Sequence, residues 1–128
     1  MCSIKTNKTF DRLIANNKLL PKKDALRIEK RLICLAKEAS IQQAGGLDDP
    51  SGKLKHMPEG LRDVSHIRIG RHRVYYTGHH RQCNYFAFYL KCFKKNDVDN
   101  EGAKKFQNKM KQWLNEPMSR ALYSPEGE

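Results

Sequence analysis

The chain has 128 residues, 25 of them Lys or Arg and 14 Asp or Glu, giving a formal net charge of +11 and a pI near 9.7. That length suits one domain with a modest core, and the cationic excess points to a polyanionic partner such as RNA, DNA, the ribosome or an anionic membrane surface; solubility or an acidic protein partner is the plainer alternative. No apolar run approaches the roughly 20 residues needed to span a bilayer, and Met1–Lys5 lacks the apolar centre of a secretory signal. Cys2, Cys34, Cys83 and Cys92 show no paired spacing, which predicts reduced thiols and a cytoplasmic location without membrane association.

Along the chain, Ser3 to Thr6 reads as a short strand, and Phe10, Leu13 and Ile14 recur at helical spacing up to Asn16-Asn17. Pro21 opens a second helix, since its missing N–H costs nothing in a first turn. Ala25, Ile28, Leu32, Leu35 and Ala39 form its apolar stripe, and the lysines and arginines between them a solvated face. Gly45 to Gly52 is a loop, Lys53 to Met57 a short strand, and Pro58-Glu59-Gly60 its stop. The runs around Ile67-Ile69 and Arg73-Thr77 meet at a turn containing Gly70. After the polar turn Gly78 to Gln82, Asn84 to Phe93 is apolar on both faces, as a central strand requires. Asp99 or Asn100 is expected to cap a last helix, with Ala103, Phe106, Met110, Trp113 and Leu114 buried and Pro117 ending it. The predicted organisation is one domain over residues 1–116 and a flexible tail over 117–128. The element order β-α-α-β-β-β-α predicts an α+β fold, with two N-terminal helices packed on one face of a mainly antiparallel sheet, a C-terminal helix after the last strand, and one sheet face open.

Alternation along strands then sorts side chains by parity. Leu54, Ile67, Ile69, Val74, Tyr76, Phe86, Phe88 and Leu90 fall in a helix-covered set. Lys53, Lys55, His66, Arg68, Arg73, Tyr75, Tyr85, Tyr89 and Lys91 fall on the opposite face, joined by Lys95 if the strand continues. Arginine forks hold phosphate oxygens in pairs, and tyrosine rings stack on bases for about 1–3 kcal/mol each. Such a face binds single-stranded RNA. Cleavage also requires a stabilised phosphate, which arginine supplies, and proton transfer by His66 or a lysine of lowered pKa. No paired carboxylates accompany the set, which argues against a nuclease with acidic metal ligands. Binding without catalysis, catalysis, and a purely structural face all remain open on patterning alone. His79-His80-x-x-Cys83 has half of a zinc spacing and reads as a turn. Cys34 and Cys92 read as core thiols.

Thr9-Phe10-Asp11-Arg12-Leu13, the run Ala25 to Leu32, Leu54-Lys55, Pro58 to Asp63, Ile67-Arg68-Ile69, Arg73-Val74-Tyr75-Tyr76, Cys92 to Asn96 and Ala103-Lys104-Lys105 together carry a pattern. The chain resembles the RelE/HigB type of toxin from bacterial type II toxin–antitoxin modules, within the RelE/ParE superfamily, over roughly residues 4 to 114. The resemblance implies a RelE/ParE-like fold and a metal-independent endoribonuclease, without cofactor, that cleaves mRNA on the ribosome and so inhibits translation. It also implies inactivation by a cognate antitoxin protein, and contact with operator DNA only through that antitoxin. By motif, Arg73 matches the hairpin arginine that contacts the scissile phosphate, Arg68 the basic residue on the preceding strand, and Lys95 the lysine ahead of the last helix; His66 completes the catalytic candidates. The RNA-binding set is Lys53, Lys55, Arg71, Tyr75, Tyr89, Lys91 and Lys94, with the tyrosines chosen by parity. The alternatives are a ParE-like DNA gyrase inhibitor and a non-catalytic RNA- or partner-binding module of the same fold. One departure bears on the site: the family's Lys-x-Thr-Gln-like stretch appears here as Lys94-Lys95-Asn96-Asp97-Val98-Asp99, bringing acid close to the cations.

Overall fold

A computed structural model describes residues 3–42, 64–79 and 84–124. The 45–52 loop, the predicted strand at 53–57 and residues 80–83 lie outside the described residues, and Lys53, Lys55 and most of the half-zinc spacing with them; of the turn expected over Gly78 to Gln82, Gly78 and His79 belong instead to a strand. The described elements are β1 (Ser3–Asn7), α1 (Lys8–Ala15), α2 (Lys22–Gln42), β2 (Ser65–Ile69), β3 (His72–His79), β4 (Asn84–Lys91), α3 (Ala103–Leu114) and β5 (Met118–Tyr123). The fold is α+β. Its five-stranded sheet has the order β2-β3-β4-β1-β5, antiparallel except where β1 runs parallel to β4. Strand β4 is central, as its two-sided apolar sequence demands. No described helix is long and apolar enough to cross a membrane.

Local chemistry fixes the boundaries. Asn7 ends β1 and caps α1, its side-chain oxygen accepting the Phe10 N–H at 2.8 Å. Pro21 precedes α2 and accepts from the Ala25 N–H at 3.0 Å. Gly70, at φ +64°, takes the first position of the two-residue turn joining β2 to β3, where a β-carbon would be strained. The hairpin pairs Ile69 with His72, Arg68 with Arg73, Ile67 with Val74 and His66 with Tyr75, so its parity is the predicted one.

One core lies between the sheet and the first two helices. It joins Ile4, Phe10, Ile14, Leu20, Ile28, Leu32 and Ala36 to Ile69, Val74, Tyr76, Tyr85, Ala87 and Leu90. A second core occupies the other face, where Met110, Phe106, Trp113 and Leu114 of α3 meet Val64, Tyr75, Phe86, Phe88 and Tyr89. The expectation of an open second face is therefore corrected: α3 covers part of it. Within β4 the predicted parity also inverts before Tyr89. Tyr75 pairs with Tyr89 but Tyr76 pairs with Ala87, leaving Phe88 as a bulge. An extra residue shifts the two-residue alternation by one, so Tyr85 joins the α1/α2 core while Phe86 and Phe88 join that of α3.

Three further expectations change. Met118–Tyr123 is no tail but edge strand β5, antiparallel to β1. Arg120 there reaches Asp11 at 3.2 Å and Glu29 at 3.6 Å, and Ser119 donates to Asp11 at 2.8 Å. The C-terminal helix is thus followed by a strand rather than ending the fold. Helix α3 starts at Ala103, so its cap position falls on Gly102, which has no side chain to cap it, and not on Asp99 or Asn100; Asp99 is engaged elsewhere, as described below. Cys34 is exposed, whereas Cys92 packs against the first core, where burial pushes its thiol up to about 11.

Candidate nucleic-acid interface

On the α3 side of the sheet, strand register builds two parallel rows. Arg68, Arg73 and Lys91 stand opposite one another across β2, β3 and β4; two residues along, His66, Tyr75 and Tyr89 do the same. Neighbouring strands lie about 4.8 Å apart, so each row is a near-continuous band, one cationic and one aromatic. Three like charges in adjacent register repel one another, and anions beside the row relieve that repulsion.

Helix α3 covers the aromatic band. Tyr75 and Tyr89 are only 3% and 9% exposed. Their rings stack at 5.7 Å, Tyr89 stacks on Trp113 at 4.0 Å, and Phe106 meets Tyr75 edge-on at 5.1 Å. His66 lies against Tyr75 at 5.9 Å, one row away from Arg73. Burial raises Tyr75 above the ordinary phenol value, although Arg73 and Lys91 pull against it, and burial, with Glu101 nearby, pushes Tyr89 up to about 12. Both phenols are neutral, enclosed groups. The expectation that Tyr75 or Tyr89 stacks on a base is therefore corrected: both rings already stack within the protein.

The cationic band is covered differently. Residues 97–101 pass over it as a strap on the way to α3. Asp99 accepts from Arg73 Nη1 at 2.8 Å through one carboxylate oxygen and from Lys91 Nζ at 2.7 Å through the other. Glu101 contacts Lys91 at 3.2 Å and Lys109 of α3 at 2.5 Å. Burial works against each of these charges, but the ion pairs outweigh it: Asp99 and Glu101 are held below the ordinary carboxylate range and Lys91 above that of lysine. Lys91 is accordingly a fixed cation and not a proton acceptor near neutrality. The Arg73 guanidinium also lies 5.1 Å over the Phe93 ring, which orients its fork.

Where the β2–β3 turn meets the turn after β4, a cleft of about 280 Å³ opens, lined by Arg71, Arg73, Phe93, Lys94, Lys95, Asn96, Asp97 and Asp99. The second turn is closed by Asp97, whose N–H donates to the Lys94 carbonyl at 3.0 Å and whose carboxylate accepts the Lys94 N–H at 2.7 Å. Asn96 takes the left-handed conformation at φ 69°, which Asn tolerates. The structure thus brings Arg71, Arg73, Lys94 and Lys95 to one cleft, with exposed Arg68 paired to Arg73 along the sheet. It does not bring His66 there.

His72 is the residue that the sequence reading missed. It is 3% exposed between the flanking arginines. Its Nδ1 accepts the Phe93 N–H at 3.1 Å, so Nε2 carries the hydrogen and donates to Asp24 at 3.1 Å. Both ring nitrogens are engaged, and the ring pins the start of β3 to the end of β4. It thereby sets the two walls of the cleft. The signal was alternation: His72 shares its parity with the inward Val74 and Tyr76, but the strand expected from Arg73 starts one residue later than β3 does.

No protein-family model matches the chain, and neither do curated proteins or solved structures.

Proposed function

We propose that this chain is a toxin of the RelE/HigB type, with a RelE/ParE-like arrangement of its α+β fold: a metal-independent endoribonuclease that cleaves mRNA on the ribosome and is silenced by a cognate antitoxin. The observation that carries the reading is the cleft itself. Two segments some 20 residues apart converge on it with Arg71, Arg73, Lys94 and Lys95, a cation density that serves a polyanion and no hydrophobic ligand. Arg73 has the fork and the fixed orientation to stabilise a pentavalent phosphate. Lys95 is the cleft's candidate for proton transfer, and Arg68 and Lys94 hold the flanking backbone. With its tyrosines enclosed, the site recognises RNA by charge.

Induced expression of the wild-type chain is expected to arrest growth and to produce new 5′ ends within translated codons. Arg73→Ala should keep the fold, because the side chain, 25% exposed, belongs to neither apolar core, and lose both effects by at least about 100-fold in cleavage rate, the scale for removing one oxyanion-stabilising donor. Full cleavage by that variant, or DNA damage without transcript breaks, would overturn the proposal. The second outcome would favour gyrase inhibition. A non-catalytic module of the same fold is the second reading, favoured by one observation: Arg73 and Lys91 are already ion-paired to Asp99. Ribosome binding with intact transcripts would support it.

A further inference from the structure

We infer that the 97–101 strap is an intrachain competitor for the RNA backbone, in which the Asp99 carboxylate occupies the place of a phosphate between Arg73 and Lys91. This rests on the reading of the cleft as an RNA site. A phosphodiester presents two anionic oxygens; Asp99 presents two, each to a different cation, at 2.8 Å and 2.7 Å. Asp99 also lines the Arg71/Arg73/Lys94/Lys95 cleft directly, so the pair it neutralises is continuous with the cations that remain at the rim.

The strap is built to exchange. Its anchors to the sheet are these ion pairs and that of Glu101 with Lys91, whereas Val98, its apolar residue, is 81% exposed. Between the strap and the end of β4 lies a groove of about 370 Å³ lined by Tyr89, Lys91, Cys92, Phe93 and Lys109. The Asp99 pairs are partly exposed and contribute little individually, and an arriving phosphate replaces them with equivalent ones. Lifting the strap therefore costs far less than lifting α3, whose contacts are aromatic and apolar. The strap holds the row of like charges together in the free protein and lowers its apparent affinity for RNA by the fraction of time it is closed.

The test measures binding of a 2′-O-methyl oligouridylate, which cannot be cut through its 2′-oxygen, by the purified full chain across a salt series. Asp99→Asn keeps shape and removes the charge, and Glu101→Gln serves as a second variant. Glu29→Gln removes one charge at the far β5 edge as a control. Asp99→Asn is expected to bind roughly 5- to 10-fold tighter, the scale of two partly exposed ion pairs. Its affinity should fall with salt more steeply than wild type by about 0.7 in the log–log slope, the contribution of one further phosphate contact on a single strand. Glu29→Gln should change affinity less than 2-fold. Equal tightening by Asp99→Asn and Glu29→Gln would overturn the strap and leave only net charge. Unchanged affinity in Asp99→Asn and Glu101→Gln, with Arg73→Ala weakened, would overturn it while leaving the RNA site standing. No binding by the wild type or any variant would overturn both.

Discussion

Trp113→Ala tests the covering of the aromatic band. Trp113 is the chain's single tryptophan, half-buried, and its ring lies 4.0 Å from that of Tyr89 at an interplanar angle of 24°. Removing a fully buried Trp costs about 3–5 kcal/mol; partial exposure places this one near the low end, at about 2–3 kcal/mol. Some 0.5–1.5 kcal/mol of that belongs to the ring pair itself. A 128-residue domain has roughly 6–19 kcal/mol in hand, so the fold should survive. The C-terminal end of α3 also keeps the Asn7 amide on the Trp113 carbonyl at 3.0 Å and the Thr9–Glu116 hydrogen bond. Urea unfolding followed by far-UV circular dichroism is the suitable assay, because the variant loses its fluorophore; the midpoint should fall with the denaturant slope unchanged. A cycle with Tyr89→Leu should return a coupling of about 0.5–1.5 kcal/mol. A loss below about 1 kcal/mol with zero coupling would mean that α3 is not docked on β3 and β4, and the tyrosines would again be available to bases.

Two further outcomes follow from the same geometry. Deleting residues 118–128 removes β5 and with it the Arg120–Asp11 and Arg120–Glu29 ion pairs; it bares the edge of β1, and concentration-dependent aggregation measured by light scattering is expected, whereas an unchanged, monomeric truncation would show β5 to be dispensable. Alkaline titration should separate the tyrosines: Tyr89, pushed to about 12, is neutral in the fold where an unfolded phenol ionises near 10, so its stabilisation is whole below about pH 10 and is lost as pH rises toward 12. The loss should reach about 2–3 kcal/mol there and shrink in Tyr89→Phe; identical alkaline melting of the two proteins would contradict the burial.

Much of the fold is written in local patterns. Asn7, Pro21 and Gly70 each mark a boundary through their own backbone chemistry, and the Ile28–Leu32 stripe identifies the buried face of α2. The β2–β3 hairpin follows from alternation because Ile67, Ile69, Val74 and Tyr76 share one face and His66, Arg68, Arg73 and Tyr75 the other. Strand β4 gives no such contrast. Tyr85 through Leu90 is apolar throughout, so nothing in the letters marks Phe88 as the bulge or shows which face Tyr85 takes. The open face was misjudged for a related reason. Of the stripe expected on α3, Met110 is buried, Phe106, Trp113 and Leu114 are partly buried and Ala103 is exposed; a stripe does not say which side of a sheet it seeks, and the other side already held two helices. Strand β5 escaped notice because its first four residues are exposed, leaving no alternation to detect. The acid after Lys95 was visible; its reach back to Arg73 and Lys91 depends on the turn at Asn96, a tertiary fact.

The two covers on this face differ in kind, and that difference constrains how the protein can act. Over the aromatic row the cover is apolar, and removing it exposes hydrophobic surface at about 25 cal/mol per Å², a cost that a ribose or phosphate does not offset. Over the cationic row the cover is ionic, and any polyanion offers the same contacts in return. A ligand entering here meets the fold's resistance at Tyr75 and Tyr89 and its compliance at Arg73 and Lys91. Under the proposed RNA-cleaving reading, recognition is directed to the backbone of the nucleic acid and away from its bases, so that selectivity among codons would come from what presents the RNA to the cleft. A ribosome holding mRNA in a fixed geometry is such a presenter. The enclosure of the tyrosines thus supports the proposed dependence on such a presenter independently of the resemblance in sequence.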